Sequence, residues 1–202
     1  MKIVLASASP RRKMLMEQVG IIPEILPSGV EEIVTKTAPE EVVKELSEIK
    51  AVDVASGYEA DGEDVLVIGA DTVVAAGSVI LGKPRDRAEA VKMIGLLAGG
   101  VHQVYTGVTM IWIKDGKAVN TNTFAEKTDV SVYPMTKEEI EAYVDSGEPM
   151  DKAGAYGIQG RFAAYIKGIS GDYSNVVGLP VGRLYQELKK WNENAPGGNL
   201  HD

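Results

Sequence analysis

Short apolar runs alternate along this chain with stretches of helical periodicity, and that order restricts the fold more than any other feature. Residues 2–6 and 65–68 read as buried strands. Ser9-Pro10 opens a first helix, with Ser9 as N-cap, Pro10 at the first helical position, Leu15, Met16 and Val19 inward, and a stop at Gly20. Thr37 and Glu40 have capping-box spacing ahead of a second helix faced by Val42, Val43, Leu46 and Ile49. Asp86 caps a third, which ends at Gly99-Gly100, and Thr136 opens a fourth with Ile140, Tyr143 and Val144 on one side. Pro180 opens the last, carrying Leu184, Leu188 and Trp191. Residues 73–75 and 79–81 flank Gly77 like a hairpin. Residues 104–113 turn through Asp115-Gly116 into 124–132, and residues 162–169 form a further strand. The expected fold is α/β: a mixed β-sheet flanked by helices. Residues 104–135 are a candidate for a distinct lobe, with a ligand cleft beside it.

At 202 residues and 45% hydrophobic content the chain can bury a real core, and we expect one domain over residues 1–192 with a frayed polar tail at 193–202. It has no cysteine, which removes disulfides, thiol catalysis and sulfur-based zinc sites. His102 and His201 are too few for a histidine-rich metal site. The apolar run at the N-terminus is too short for a signal peptide, and nothing approaches the ~20 apolar residues of a membrane span. A soluble, cytoplasmic protein is expected, with no membrane partner. The net charge of −8 disfavours nucleic acid, but converging cations can still bind a small anion.

Several segments could carry chemistry. Ser7-Ala8-Ser9-Pro10-Arg11-Arg12 lies between a strand and a helix. Free N–H groups, hydroxyls and guanidiniums there can cradle phosphate; the same residues also make an ordinary capped helix with solvated arginines. Gly69-Ala70-Asp71-Thr72 follows a buried strand, where a carboxylate can hold a divalent metal, activate water, or simply start a turn. Gly82-Lys83-Pro84-Arg85-Asp86 puts two cations before a helix but lacks a P-loop pattern. Of Glu31-Glu32 on an extended chain, at most one can face a site. Lys50 sits late in its helix, where the dipole alone favours it. In residues 151–160 the glycines would let backbone approach a ligand, and Gln159 offers a donor and an acceptor to a base edge.

Taken in order, these segments resemble the Maf family of nucleotide pyrophosphatases from Ile3 to about Leu188. The resemblance rests on Leu5-Ala6-Ser7, Ser9-Pro10-Arg11-Arg12, Glu31-Glu32, Lys50-Ala51, Gly69-Ala70-Asp71-Thr72, Gly82-Lys83-Pro84, the 151–160 segment and Gly178-Leu179-Pro180. It implies an elongated mixed sheet similar to that of the inosine triphosphate pyrophosphatases, with a cleft between two lobes. It further implies a divalent cation (Mg²⁺ or Mn²⁺), a nucleoside triphosphate substrate and a homodimer. The branch it looks closest to prefers dTTP and UTP, with Arg11, Thr72 and Gln159 standing where that branch chooses its base. Carried over, the metal falls to Asp71 and Glu32, general base catalysis to Asp71, and phosphate binding to Ser7, Arg11, Arg12, Lys50 and Lys83. Two other readings share the resemblance: a house-cleaning enzyme for modified pyrimidine nucleotides, and a nucleotide-binding regulator of septum formation.

Overall fold

The computed structural model describes residues 1–58 and 64–194. Seven strands form one mixed sheet: β1 (Lys2–Leu5), β2 (Glu24–Ile25), β3 (Val65–Ala76), β4 (Val79–Leu81), β5 (Val101–Lys114), β6 (Lys117–Val132) and β7 (Ile166–Ser170). Their order is β2-β1-β3-β5-β6-β7, with β4 beside the far end of β3. β1 runs parallel to β2 and β3, and the other pairings are antiparallel. The helices are α1 (Pro10–Gln18), α2 (Pro39–Ala55), α3 (Arg87–Leu97), α4 (Lys137–Val144), α5 (Tyr173–Val177) and α6 (Val181–Asn194). Among the described residues no helix is long and apolar enough to cross a membrane.

Local chemistry accounts for most boundaries. Ser9 accepts the Arg12 N–H, Asp86 accepts the Glu89 N–H, and Thr136 with Glu139 closes a full capping box. Asp115 and Gly116 both have positive φ, which two-residue hairpin turns of type I′ demand. Three expectations need correction. Thr37 does not cap α2: the N-cap is Ala38, with no side-chain bond, and Pro39 sets the first turn. Residues 161–165 form a 3₁₀ turn that buries Phe162, and only Ile166–Ser170 is strand. Residues 104–135 are no separate lobe, because β5 pairs with β3 from Val65↔Ile113 to Ala75↔Gln103 and so lies mid-sheet. The polar tail lies outside the described residues from residue 195 on, whereas α6 continues to Asn194.

α2 covers one face of the sheet, over Val67, Val73 and Ile111. The other face carries two apolar cores end to end. One gathers α1 and α6 around Ile68 and Met110; the other gathers α3, α4 and Phe162 around Val74 and Val130. Between these cores the sheet shows Thr72, Thr106 and Thr128, with Asn175 of α5 laid across them. That polar seam separates the two cores on this face of the sheet.

In the second core His102 is 1% exposed; its Nε2 is 2.8 Å from the Tyr156 hydroxyl and its Nδ1 has no partner. Burial pushes its pKa down to about 4, so the folded protein holds it neutral. The unfolded chain therefore takes up a proton near the ordinary value of 6.5, well before the folded chain does. Stability should fall as pH drops from about 6.5 to about 4 and level off below. Between pH 7 and pH 5 the loss from this group is about 2 kcal/mol. Urea unfolding of wild type and His102→Phe at both pH values tests it. Wild type should lose about 2 kcal/mol more than His102→Phe between the two pH values; equal losses would clear His102 of the effect.

Candidate active site

β1 ends early. Its last ladder partner on β3 is Ile68, and Ala6 N–H still donates to the Ile68 carbonyl. β4 joins β3 only at Val74. Between these contacts, residues 69–73 of β3 have an open edge, and the loop from Ser7 into α1 faces it. Asp71 is therefore not at a strand end, as the sequence suggested, but in the middle of a twelve-residue strand. It reaches the ligand space because its neighbour stops short. Asp71 points to the α2 face and Thr72 to the other.

The approach of α2 depends on two glycines. A Cβ on Gly69 would lie 2.3 Å from the Ser47 carbonyl oxygen, and one on Gly107 would lie 2.1 Å from that of Val43. Gly107 is the ladder partner of Asp71. A buried hydroxyl chain, Ser47 to Thr109 to Thr123, fastens α2 to the sheet at 2.9 and 3.0 Å. One turn along, Lys50 is brought over Asp71, with Nζ 2.5 Å from Oδ1 and 2.9 Å from Glu32 Oε1. Lys50 and Asp71 side chains are each 15% exposed.

Arg12 ties α1 to the polar seam. Its Nε donates to the Gly178 carbonyl (2.8 Å), Nη1 to Ser7 Oγ (3.0 Å) and Nη2 to Thr72 Oγ1 (3.1 Å). Thr106 donates to the Asn175 carbonyl, and Thr72 Oγ1 lies 2.9 Å from Thr106 Oγ1 and 3.4 Å from the Gly178 carbonyl, so Thr72 links the guanidinium to the seam. Burial lowers the Arg12 pKa; Asp71 raises it, Arg11 lowers it and Glu32 raises it, in that order of size. An arginine stays charged throughout the working range. Ser7 accepts both Arg12 Nη1 and Ser9 N–H, which leaves its own O–H to donate outward.

These groups line a cleft of about 420 Å³. Ser7, Arg11, Arg12, Lys50, Asp71, Thr72, Lys83 and Gln159 all border it. Glu32 does not, and reaches the site through Lys50; Glu31 is exposed without such a contact. The far wall is residues 151–160, tied to the strand–helix loop by Gly154 N–H donating to the Gly82 carbonyl. Its glycines serve packing. A Cβ on Gly154 would strike Val74, one on Gly157 the Lys152 side chain, and one on Gly160 the Glu148 carboxylate. Gln159 is exposed on the cleft wall.

Two parts of the site were given no role from sequence. Lys152 lines the cleft, donating to Asp151 (2.6 Å) and the Glu148 carbonyl (2.7 Å); Asp151 also sits 3.7 Å from Arg11. The lysine bond, more than Arg11, keeps the Asp151 pKa low. The seam of Thr106, Thr128 and Asn175 was the other. Its one signal was polar threonine at inward positions of strands otherwise lined by valine, as in Val104-Tyr105-Thr106-Gly107-Val108.

Among the described residues no group of three or more His, Asp or Glu side chains forms a metal cage. The donors present do suit a cation completed by substrate. Asp71 and Glu32 oxygens converge within 2.9 Å of one positive centre, Lys50 Nζ. Mg²⁺ is commonly bound by one or two carboxylates together with phosphate oxygens.

The profile of the Maf-like protein family matches residues 2–191. A protein of Agathobacter rectalis named dTTP/UTP pyrophosphatase is 56% identical, with 94% of this chain and 97% of that one covered. One of the same name from Lachnoclostridium phytofermentans is 52% identical over 94% and 95%. A solved HAM1 protein from Coxiella burnetii overlaps 96% of this chain and 100% of that one, at 15% identity and a TM-score of 0.47.

Proposed function

The chain belongs to the Maf-like protein family, and from that premise we propose that it hydrolyses dTTP and UTP to the monophosphate and pyrophosphate. The observation that carries the reading is the convergence of Arg11, Arg12, Lys50 and Lys83 with Asp71 in one cleft of a chain whose net charge is −8. Such a site attracts a polyanion that the rest of the surface repels. The same reading carries a cytoplasmic location and a homodimer as expectations.

Phosphoryl transfer needs positioning and charge neutralisation more than covalent help. Arg11, Lys83 and the uncommitted N–H groups of Arg12 take the phosphate oxygens, and Ser7 O–H adds a donor. Asp71 holds the attacking water and accepts its proton. The water oxygen bonds to the α phosphorus, the bond from that phosphorus to the bridging oxygen breaks, and pyrophosphate leaves with the electron pair. A divalent cation, Mg²⁺ or Mn²⁺, would be held by Asp71 and Glu32 and would neutralise phosphate charge there. Thr72 works through Arg12, since its hydroxyl is spent on holding that guanidinium. Gln159 faces the base.

The test is a screen of the common nucleoside triphosphates with Mg²⁺ or Mn²⁺, the products separated by chromatography. UMP or dTMP with pyrophosphate is expected. Nucleoside diphosphate with free phosphate would put the attack on the wrong phosphorus, and no turnover on any nucleotide would sink the reading. Gln159→Ala should lower discrimination between the preferred base and its rivals by about 10-fold, the worth of one hydrogen bond. Equal losses on every nucleotide would remove Gln159 from base reading.

A further inference from the structure

Glu32 lies in an unusual stretch of chain. Residues 26–37 have no regular secondary structure, and residues 29–38 are all exposed. Ile33 is 65% exposed, so apolar packing does not hold the segment. Glu32 itself makes a half-exposed ion pair with Lys50, a contact worth little in water. Something else must set the path of the backbone.

Two carboxylates of α2 do so. Asp53 Oδ2 accepts Ser28 Oγ–H at 2.7 Å and Gly29 N–H at 3.2 Å. Glu45 accepts Thr35 N–H (2.8 Å) and Lys36 N–H (3.2 Å) on Oε2, and Thr35 Oγ1–H (2.5 Å) on Oε1. The two acids stand eight residues apart on the helix, roughly 12 Å, with Lys50 between them. The segment is thus pinned at both ends along α2, and Glu32 falls between the pins. The thiol-free, exposed segment has a pair of carboxylates in place of a core.

We propose that Glu45 and Asp53 are positioning residues that hold residues 28–36 along α2 so that Glu32 meets Asp71 at the Lys50 site. The inference rests on the reading of Glu32 as a metal ligand. Partners behind a ligand typically change metal affinity 10–100-fold when removed.

The experiment uses the full chain. Amide hydrogen exchange is followed without metal, and Mn²⁺ binding is titrated by calorimetry, for wild type, Glu45→Ala, Glu45→Gln, Asp53→Ala and Glu32→Ala. In Glu45→Ala the amides of Thr35 and Lys36 should exchange at least about 10-fold faster, with those of α2 and β3 unchanged, and Mn²⁺ should bind about 10-fold more weakly. Asp53→Ala should do the same through Gly29. Glu45→Gln keeps an acceptor but loses the charge, so it should restore much of both properties. If it instead matches Glu45→Ala, lost charge explains the effect and the clamp is overturned. Unchanged exchange overturns it as well, as does faster exchange with unaltered Mn²⁺ affinity where Glu32→Ala weakens binding. If Glu32→Ala leaves Mn²⁺ affinity intact, the metal reading of Glu32 fails and the positioning role goes with it, whatever the exchange rates show.

Discussion

Asp71→Asn is expected to lower kcat by about 10²- to 10⁴-fold, the usual contribution of a positioned base. Asparagine has the same shape and still offers an oxygen to Lys50 Nζ, which now lies 2.5 Å from Asp71 Oδ1. Lys50 also keeps Glu32, at 2.9 Å. The thermal midpoint should therefore move little, while the proton acceptor and one of two metal donors are lost together. Turnover on UTP at saturating Mg²⁺, with circular dichroism as a check on folding, measures it. Retention of a tenth or more of wild-type kcat would rule out Asp71 as the base.

Gly107→Ala should damage both stability and catalysis. The new Cβ would lie 2.1 Å from the Val43 oxygen and 2.8 Å from Lys44 N, both backbone atoms that no rotamer change can move. α2 must back away from the sheet. Overpacking of this kind costs about 1–3 kcal/mol or more. The same shift draws Lys50 from Asp71, and a displacement of about 1 Å at a reacting group can cost about 10²-fold in rate. Gly95→Ala in α3 is the matched control, because nothing lies within 4 Å of a Cβ there. It should raise stability by about 0.5–1 kcal/mol through helix propensity. If both substitutions shift the melting temperature alike, close approach of α2 is not what Gly107 provides.

Much of the scaffold was legible because its signals are local. The Ser9, Asp86 and Thr136 caps and the Asp115-Gly116 turn each involve groups within four residues of one another. Their backbone partners are present in any conformation the segment can try. The boundary at Thr37 was misplaced for the same reason: capping-box spacing fits there, but a neighbouring proline already fixed the first turn. Residues 162–165 looked like strand because Phe162 and its neighbours are apolar. Their conformation follows instead from burying Phe162 against Tyr143 and Tyr156, ring to ring at 5.0 and 4.7 Å.

The sequence by itself offered a set of candidate side chains: Ser7, Arg11, Arg12, Lys50, Asp71, Thr72, Lys83 and Gln159 line the cleft, and Glu32 does not. Only the tertiary structure decided what each of them faces. Asp71 is open to the cleft because β1 stops at its pairing with Ile68, a fact held in another strand. Lys50 reaches it because glycines on two strands admit α2, and Arg12 is committed to Thr72 and Gly178 by contacts 60 and 166 residues away in the chain. Capping and turn chemistry act between near neighbours in sequence, whereas a site is made by ladder register and helix–sheet distance, which no short segment carries.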